Sequence, residues 1–188
     1  MRALFPSQIA LRVCERCALR SFMTVNLTYR APEPSRATRD VVRRSKASLR
    51  GSMMAMLPAF RRPREIQFES MLEYRFLCLM LVNPDVHDIQ EQPAAIRFRR
   101  ADGSSATHVF DFLVTMKDRT RTAVAIKPQD RVARRDFVTE LRFVAAAMPK
   151  HFANKVKLVT DEHLSRRAAT TAERRLMRLR PQLTEVAA

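Results

Sequence analysis

Residues 107–127 read THVFDFLVTMKDRTRTAVAIK. Two apolar runs flank a short polar turn. Residues 107–116 mix β-branched and aromatic side chains and predict a strand. Residues 121–127 predict a second buried strand, ended by Pro128. A turn of about four residues between them makes the two antiparallel hairpin neighbours. Working outward, residues 132–148 place Phe137, Leu141, Val144 and Ala145 on one helical face. Residues 156–160 read as a strand, and Asp161 is placed to cap a final helical region reaching about residue 180. A strand–helix–strand unit of this kind closes as a parallel right-handed crossover. Upstream, Ser70 or Gln67 caps a helix running to about residue 82, with Phe68, Leu72, Phe76 and Leu79 at three- and four-residue spacing. Asn83-Pro84 stops it. Residues 86–92 and 95–99 read as short strands separated by Pro93, and Gly103 supplies the left-handed position of a turn. The expected fold class is α/β: a small mixed central sheet flanked by helices.

The chain has 188 residues, a formal net charge of +16 and two glycines. Loops that cradle nucleotide phosphates need several glycines within a few residues. Gly51 and Gly103 cannot form one, so a nucleoside-triphosphatase or a nicotinamide dehydrogenase is excluded. No apolar run reaches the ~20 uncharged residues of a membrane span. The 35 basic residues include 29 arginines, whose planar forks suit phosphate oxygens. Residues 1–64 carry 14 basic and 3 acidic residues; the remainder carry 21 and 16. That layout, a basic arm before a nearly balanced domain, suits a nucleic-acid binder. Its plainer reading is an arginine-rich composition and a solvated linker. Cys14 and Cys17 form a C-x-x-C and Cys78 lies alone in an apolar stretch. These are too few for a structural zinc site or a disulfide framework, so reduced thiols in a cytosol are expected. Residues 1–22 also fit an organelle transit peptide. Met23 is a possible alternative start.

Three residues carry the chemistry. Glu73 lies mid-helix among apolar neighbours, Asp111 lies between Phe110 and Phe112, and Lys127 ends the next strand. A carboxylate in an apolar strand is costly unless it is paired or binds metal. In a tight hairpin Asp111 and Lys127 can approach, with the helix packed over them. Carboxylates that hold a divalent ion, together with a lysine that manages a water or the transition-state charge, are the minimal kit for phosphodiester hydrolysis. The same residues also read as a buried Asp–Lys salt bridge.

The stretch FESMLEYRFLCLMLVNPDVHDIQEQP (68–93), then THVFDFLV and VAIKP, resembles the TnsA endonuclease family of heteromeric cut-and-paste transposons. The resemblance spans about residues 65–165 and extends weakly into RRSKASLRG at 43–51. It implies a restriction-endonuclease-like PD-(D/E)xK core. It implies Glu73 and Asp111 as metal ligands, Lys127 as the catalytic lysine, and Gln92 as the glutamine of an E-Q-P turn. Arg43, Arg44, Lys46 and Arg50 are expected to grip DNA. The cofactor implied is Mg²⁺, with Mn²⁺ as a substitute. The implied substrate is double-stranded DNA at transposon ends, cut at the 5′ ends beside a DDE-type transposase, with an AAA+ regulatory ATPase as a further partner. The implied location is a bacterial cytoplasm, associated with the nucleoid.

Two positions depart from the family pattern. Phe110 stands where many members have proline. Ala125 stands where the family has Glu or Gln, so one side-chain ligand is missing. The backbone carbonyl of Ile126 could contribute instead. Another route is an acid supplied by the following helix, Glu140 or, less favourably, Asp136. Loss of cutting, leaving a DNA-binding or assembly subunit, is the alternative. A third reading, an RNA-binding protein, rests on charge alone. The expected organisation is a basic, largely extended arm over 1–64, an endonuclease domain over 65–165 and a helical tail over 166–188. The ATPase-contacting domain of larger members is expected to be absent.

Overall fold

The computed structural model describes residues 31–39, 49–134 and 136–186. Cys14, Cys17, Met23, Arg43, Arg44 and Lys46 lie outside the described residues.

Four strands form the central sheet: β3 (Val86–Glu91), β6 (Phe112–Met116), β7 (Arg121–Ile126) and β8 (Lys155–Val159), in the order β3-β6-β7-β8. The first two pairings are antiparallel and β7–β8 is parallel. The expected hairpin is therefore present, with Phe112 opposite Val124 and Thr115 opposite Arg121. The parallel pair is joined by α2 (Gln129–Arg134) and α3 (Phe137–Ala147). The resulting mixed sheet between helices is a restriction-endonuclease-like α/β core.

Strand alternation divides the core in two. On one face Phe112, Val114, Val124 and Ile126 pack with Phe76 and Leu77 of α1 (Met71–Leu81) and Ala172 of α4 (Arg166–Val186). On the other, Leu113, Ala123 and Ala125 pack with Leu141 and Val144 of α3 and with Phe98 of a hairpin, β4 (Ile96–Arg99) and β5 (Ser105–His108). A further hairpin, β1 (Gly51–Ala55) with β2 (Arg64–Phe68), adds Met53 and Ile66 to the α1 side. Gly51 lies so close to Phe68 that an added Cβ would meet the ring at 2.8 Å.

Several elements differ from the sequence reading. β1 falls within residues expected to be an extended arm, because hairpin pairing and core contacts override weak periodicity. The single strand expected over 107–116 is two strands, separated by a kink at residues 109–111. The helix expected over 132–148 is broken at Asp136, whose φ of 45° is left-handed. Asp161 does not cap α4. It accepts from the Gln129 N–H at 2.7 Å, while Thr160 and His163 close a short 3₁₀ turn over Asp161–His163. Among the described residues no helix is long and apolar enough to cross a membrane.

Candidate active site

The kink before β6 decides where Asp111 sits. Phe110 belongs to the α3-side core and Phe112 to the α1-side core, so Asp111 lies at the end of the sheet between the two layers. Its backbone is pinned on both sides: its N–H donates to Val124 O at 3.0 Å, and its carbonyl accepts from Gln92 N–H at 3.0 Å. Its Oδ2 accepts from the Ile126 N–H at 2.6 Å and lies 3.6 Å from Lys127 Nζ. Ile126 thus meets Asp111 through its N–H. Burial pushes the Asp111 carboxyl above its usual range, and the Lys127 ammonium pulls it back.

Lys127 continues the alternation of Ala123 and Ala125, so it approaches from the α3 side. Its Nζ lies 5.9 Å from the centroid of the Phe137 ring, at the start of α3. Its backbone N–H bonds Val159 O of β8, which fixes the strand end that carries it.

Glu73 comes from the opposite layer. Ser70 caps α1: its Oγ accepts from the Glu73 N–H at 3.2 Å and donates to Glu73 Oε1 at 2.9 Å. Glu73 Oε2 accepts from the Glu69 N–H at 2.7 Å. This is the reciprocal S-x-x-E pattern of a capping box, with the acid reaching one residue beyond the cap. Glu73 is 6% exposed. Burial, and secondarily the Asp111 carboxylate, push it up to about 7. Two buried carboxylates, both held above their usual range chiefly by burial, mark a place where a cation is stabilised. The donors fit Mg²⁺, a hard ion commonly held by one or two carboxylates with water and phosphate completing the shell. Among the described residues no group of three His, Cys, Asp or Glu is arranged as a metal site.

Ala125 is fully buried in the α3-side core, two residues before Lys127 and on the same face. Glu140 lies half-buried in the first turn of α3 and is not gathered with Glu73 and Asp111 into such a three-ligand group. Asp136 is exposed. Arg50 lies beside the site, its Nη2 3.9 Å from Glu69 Oε1.

Gln92 is 2% exposed, with φ at 41°. Its N–H holds Asp111, as above, and its Oε1 accepts from Arg39 Nε at 2.9 Å. Arg39 Nη2 also lies 2.6 Å from Glu69 Oε2. The segment 33–39 therefore runs as a strap past the site. Ser35 and the Arg36 N–H bond Glu91 Oε1, and the Thr38 N–H bonds Gln92 O. One guanidinium ties the turn that holds Asp111 to the residue whose N–H holds Glu73.

Sequence reasoning passed over this strap, the role of Glu91, and His108. His108 is 9% exposed and its Nε2 has no hydrogen-bond partner among the described residues. Its ring meets Phe110 edge-on at 4.7 Å and Phe137 at 5.8 Å. Burial, helped by the Lys127 charge, lowers it to about 4, so it is neutral near pH 7. An ionisable residue three positions before Asp111 was the one available signal.

A restriction-endonuclease-like core with an acid–acid–lysine cluster at its sheet end defines the class. Residues 83–174 match the family model for the TnsA-like endonuclease N terminal, so over that segment the chain is TnsA-like. The match begins after α1, so it covers Asp111 and Lys127 but not Glu73. No curated protein matches the chain.

Proposed function

We propose that this chain is a metal-dependent DNA endonuclease subunit of a heteromeric transposase, cutting duplex DNA at transposon ends beside a DDE-type transposase, with an AAA+ ATPase as a further partner. The observation that carries the reading is the convergence of three groups from three elements. The Lys127 ammonium stands 3.6 Å from the Asp111 carboxylate, beside a Glu73 held up to about 7.

Asp111 and Glu73 are the residues to hold Mg²⁺ or Mn²⁺, with Ile126 fixing the Asp111 carboxylate through its N–H. Bound there, the ion supplies Lewis-acid stabilisation of phosphodiester charge and a more acidic water. Lys127 is placed to orient the attacking water or to offset charge on the phosphoryl oxygens. Ser70 and Glu69 hold the Glu73 carboxylate, and Gln92 holds the Asp111 backbone. Arg43, Arg44, Lys46 and Arg50 are the residues to contact backbone phosphates, without regard to sequence.

Nicking of end-containing DNA, with the transposase and Mg²⁺ present, tests this. Lys127→Ala is expected to lower nicking at least 100-fold, the scale of a lost charge stabiliser. Unchanged nicking refutes the mechanism.

A second reading, a DNA-binding or assembly subunit that does not cut, is favoured by Ala125. Its methyl group is in the apolar core where the family carries Glu or Gln. Duplex binding with no nicking under any divalent ion selects it.

A further inference from the structure

One groove among the described residues does not contain Glu73, Asp111 or Lys127. It lies along α3, has a volume of about 800 Å³, and is lined by Arg97, Arg99, Ser105, Thr107, Phe143 and Ala147 among others. The register of the β4–β5 hairpin organises it. Arg97 is opposite Thr107 and Arg99 is opposite Ser105, so two guanidiniums and two hydroxyls share one face. All four residues are exposed, while Ile96 and Phe98 turn into the core beneath. Residues two apart on a strand are about 6.8 Å apart, a spacing that suits successive phosphates of one nucleic-acid strand. Neither arginine has a carboxylate partner among the described residues, and no carboxylate lines the groove. Their charge is therefore uncompensated, unlike that of Arg36, Arg39 and Arg64, each engaged by an acid.

The groove is joined to the candidate active site. Thr107 precedes His108, whose ring meets Phe137, and Lys127 lies over that same Phe137 ring. The other wall is α3, which packs on the Phe98 side of the hairpin, starts at Phe137 and brings Phe143 and Ala147 to the groove. Alanines keep that wall low, and Phe143 is 36% exposed, an apolar surface for a sugar face.

The geometry points to a DNA-backbone subsite: the β4–β5/α3 groove binds the phosphates of one strand of the duplex flanking the cut, through Arg97, Arg99, Ser105 and Thr107. This rests on the DNA-cutting reading above. Six to ten residues of helix rise place Phe143 and Ala147 about 9 to 15 Å from the Lys127 end of α3. That corresponds to about three to four base pairs along a B-form axis.

The test is binding of the full chain to a random-sequence 30-base-pair duplex, titrated at several salt concentrations. Arg97→Gln/Arg99→Gln is compared with Arg174→Gln/Arg178→Gln, a pair exposed on α4 that removes the same charge. Each lost phosphate contact removes about 0.9 from the slope of log K against log salt. The hairpin variant is expected to lose about two in slope and roughly 60-fold in affinity near 0.1 M salt, while the α4 variant keeps the wild-type slope. A hairpin variant that matches wild type overturns the subsite, and so does an equal loss in both variants, which makes the effect diffuse charge. If wild type fails to bind duplex even at low salt, the DNA-cutting reading and the subsite fall together. Binding that is unchanged for duplex but lost for structured RNA also overturns it.

Discussion

Replacing Glu73 by Gln separates the electrostatic cost of this carboxylate from its role as a helix cap. Gln is accepted at the third position of a capping box and keeps the side-chain volume. What it removes is the buried charge. The folded protein holds Glu73 at about 7 against an ordinary value of 4.5. At about 1.4 kcal/mol for each tenfold change in proton affinity, the ionised form costs the fold about 3 kcal/mol. Below about pH 4.5 the group is protonated in both folded and unfolded chains, and there is no cost. As pH rises from about 4.5 to about 7 the unfolded chain releases the proton first, so the native state binds more protons and loses stability. Above that window the loss is complete. Urea unfolding of the chelated protein should therefore show Glu73→Gln close to wild type near pH 4.5. Near pH 8 it should be more stable by about 3 kcal/mol. Millimolar Mg²⁺ should narrow the gap at pH 8, because an ion that binds only the folded wild type stabilises it by mass action. A Glu73→Gln effect of the same size and sign at both pH values would falsify the account, since packing alone does not titrate.

Three further outcomes are expected. Ser70→Ala removes the cap on Glu73 N–H and a donor to its carboxylate, and should lower stability by about 1 kcal/mol, seen as a Tm loss of about 3 °C. Ala125→Glu forces a carboxylate into the α3-side core and should cost about 3 kcal/mol without divalent ions; unchanged stability in chemical denaturation sinks the placement of Ala125. Arg64 is 2% exposed, donates to Ile89 O and lies 3.5 Å from the centroid of the Phe60 ring. Arg64→Ala should cost about 3 kcal/mol in urea unfolding, and Arg64→Lys should recover only part of this, because lysine lacks the planar fork.

The hairpin of residues 107–127 was legible because its two strands are apolar, β-branched and separated by a short polar turn. α1 was legible because Ser70 and a three–four apolar spacing mark its start and buried face. Lys127 beside Asp111 followed from the hairpin alone. The break at residues 109–111 was not legible. Apolar residues run straight through it, and the stagger that sends Phe110 to one core and Phe112 to the other is fixed by packing against α3 and α1. The Asp136 break in the crossover helix was hidden for a similar reason. Its left-handed backbone is uncommon for a non-glycine residue, and only the tertiary frame requires it.

The sequence by itself determined which residue types could handle a phosphate: paired carboxylates and a lysine, and no glycine loop. It also determined that Asp111 and Lys127 belong to one hairpin of a mixed sheet and Glu73 to a helix, since periodicity and turn chemistry are local properties. The tertiary structure alone decided how they meet. Glu73 reaches the sheet end from the α1 layer and Lys127 from the α3 layer, and the strap at residues 33–39 ties the segments that hold the two acids. Contacts between residues so distant in the chain depend on how two independent core layers close on one sheet, and no local pattern encodes that closure.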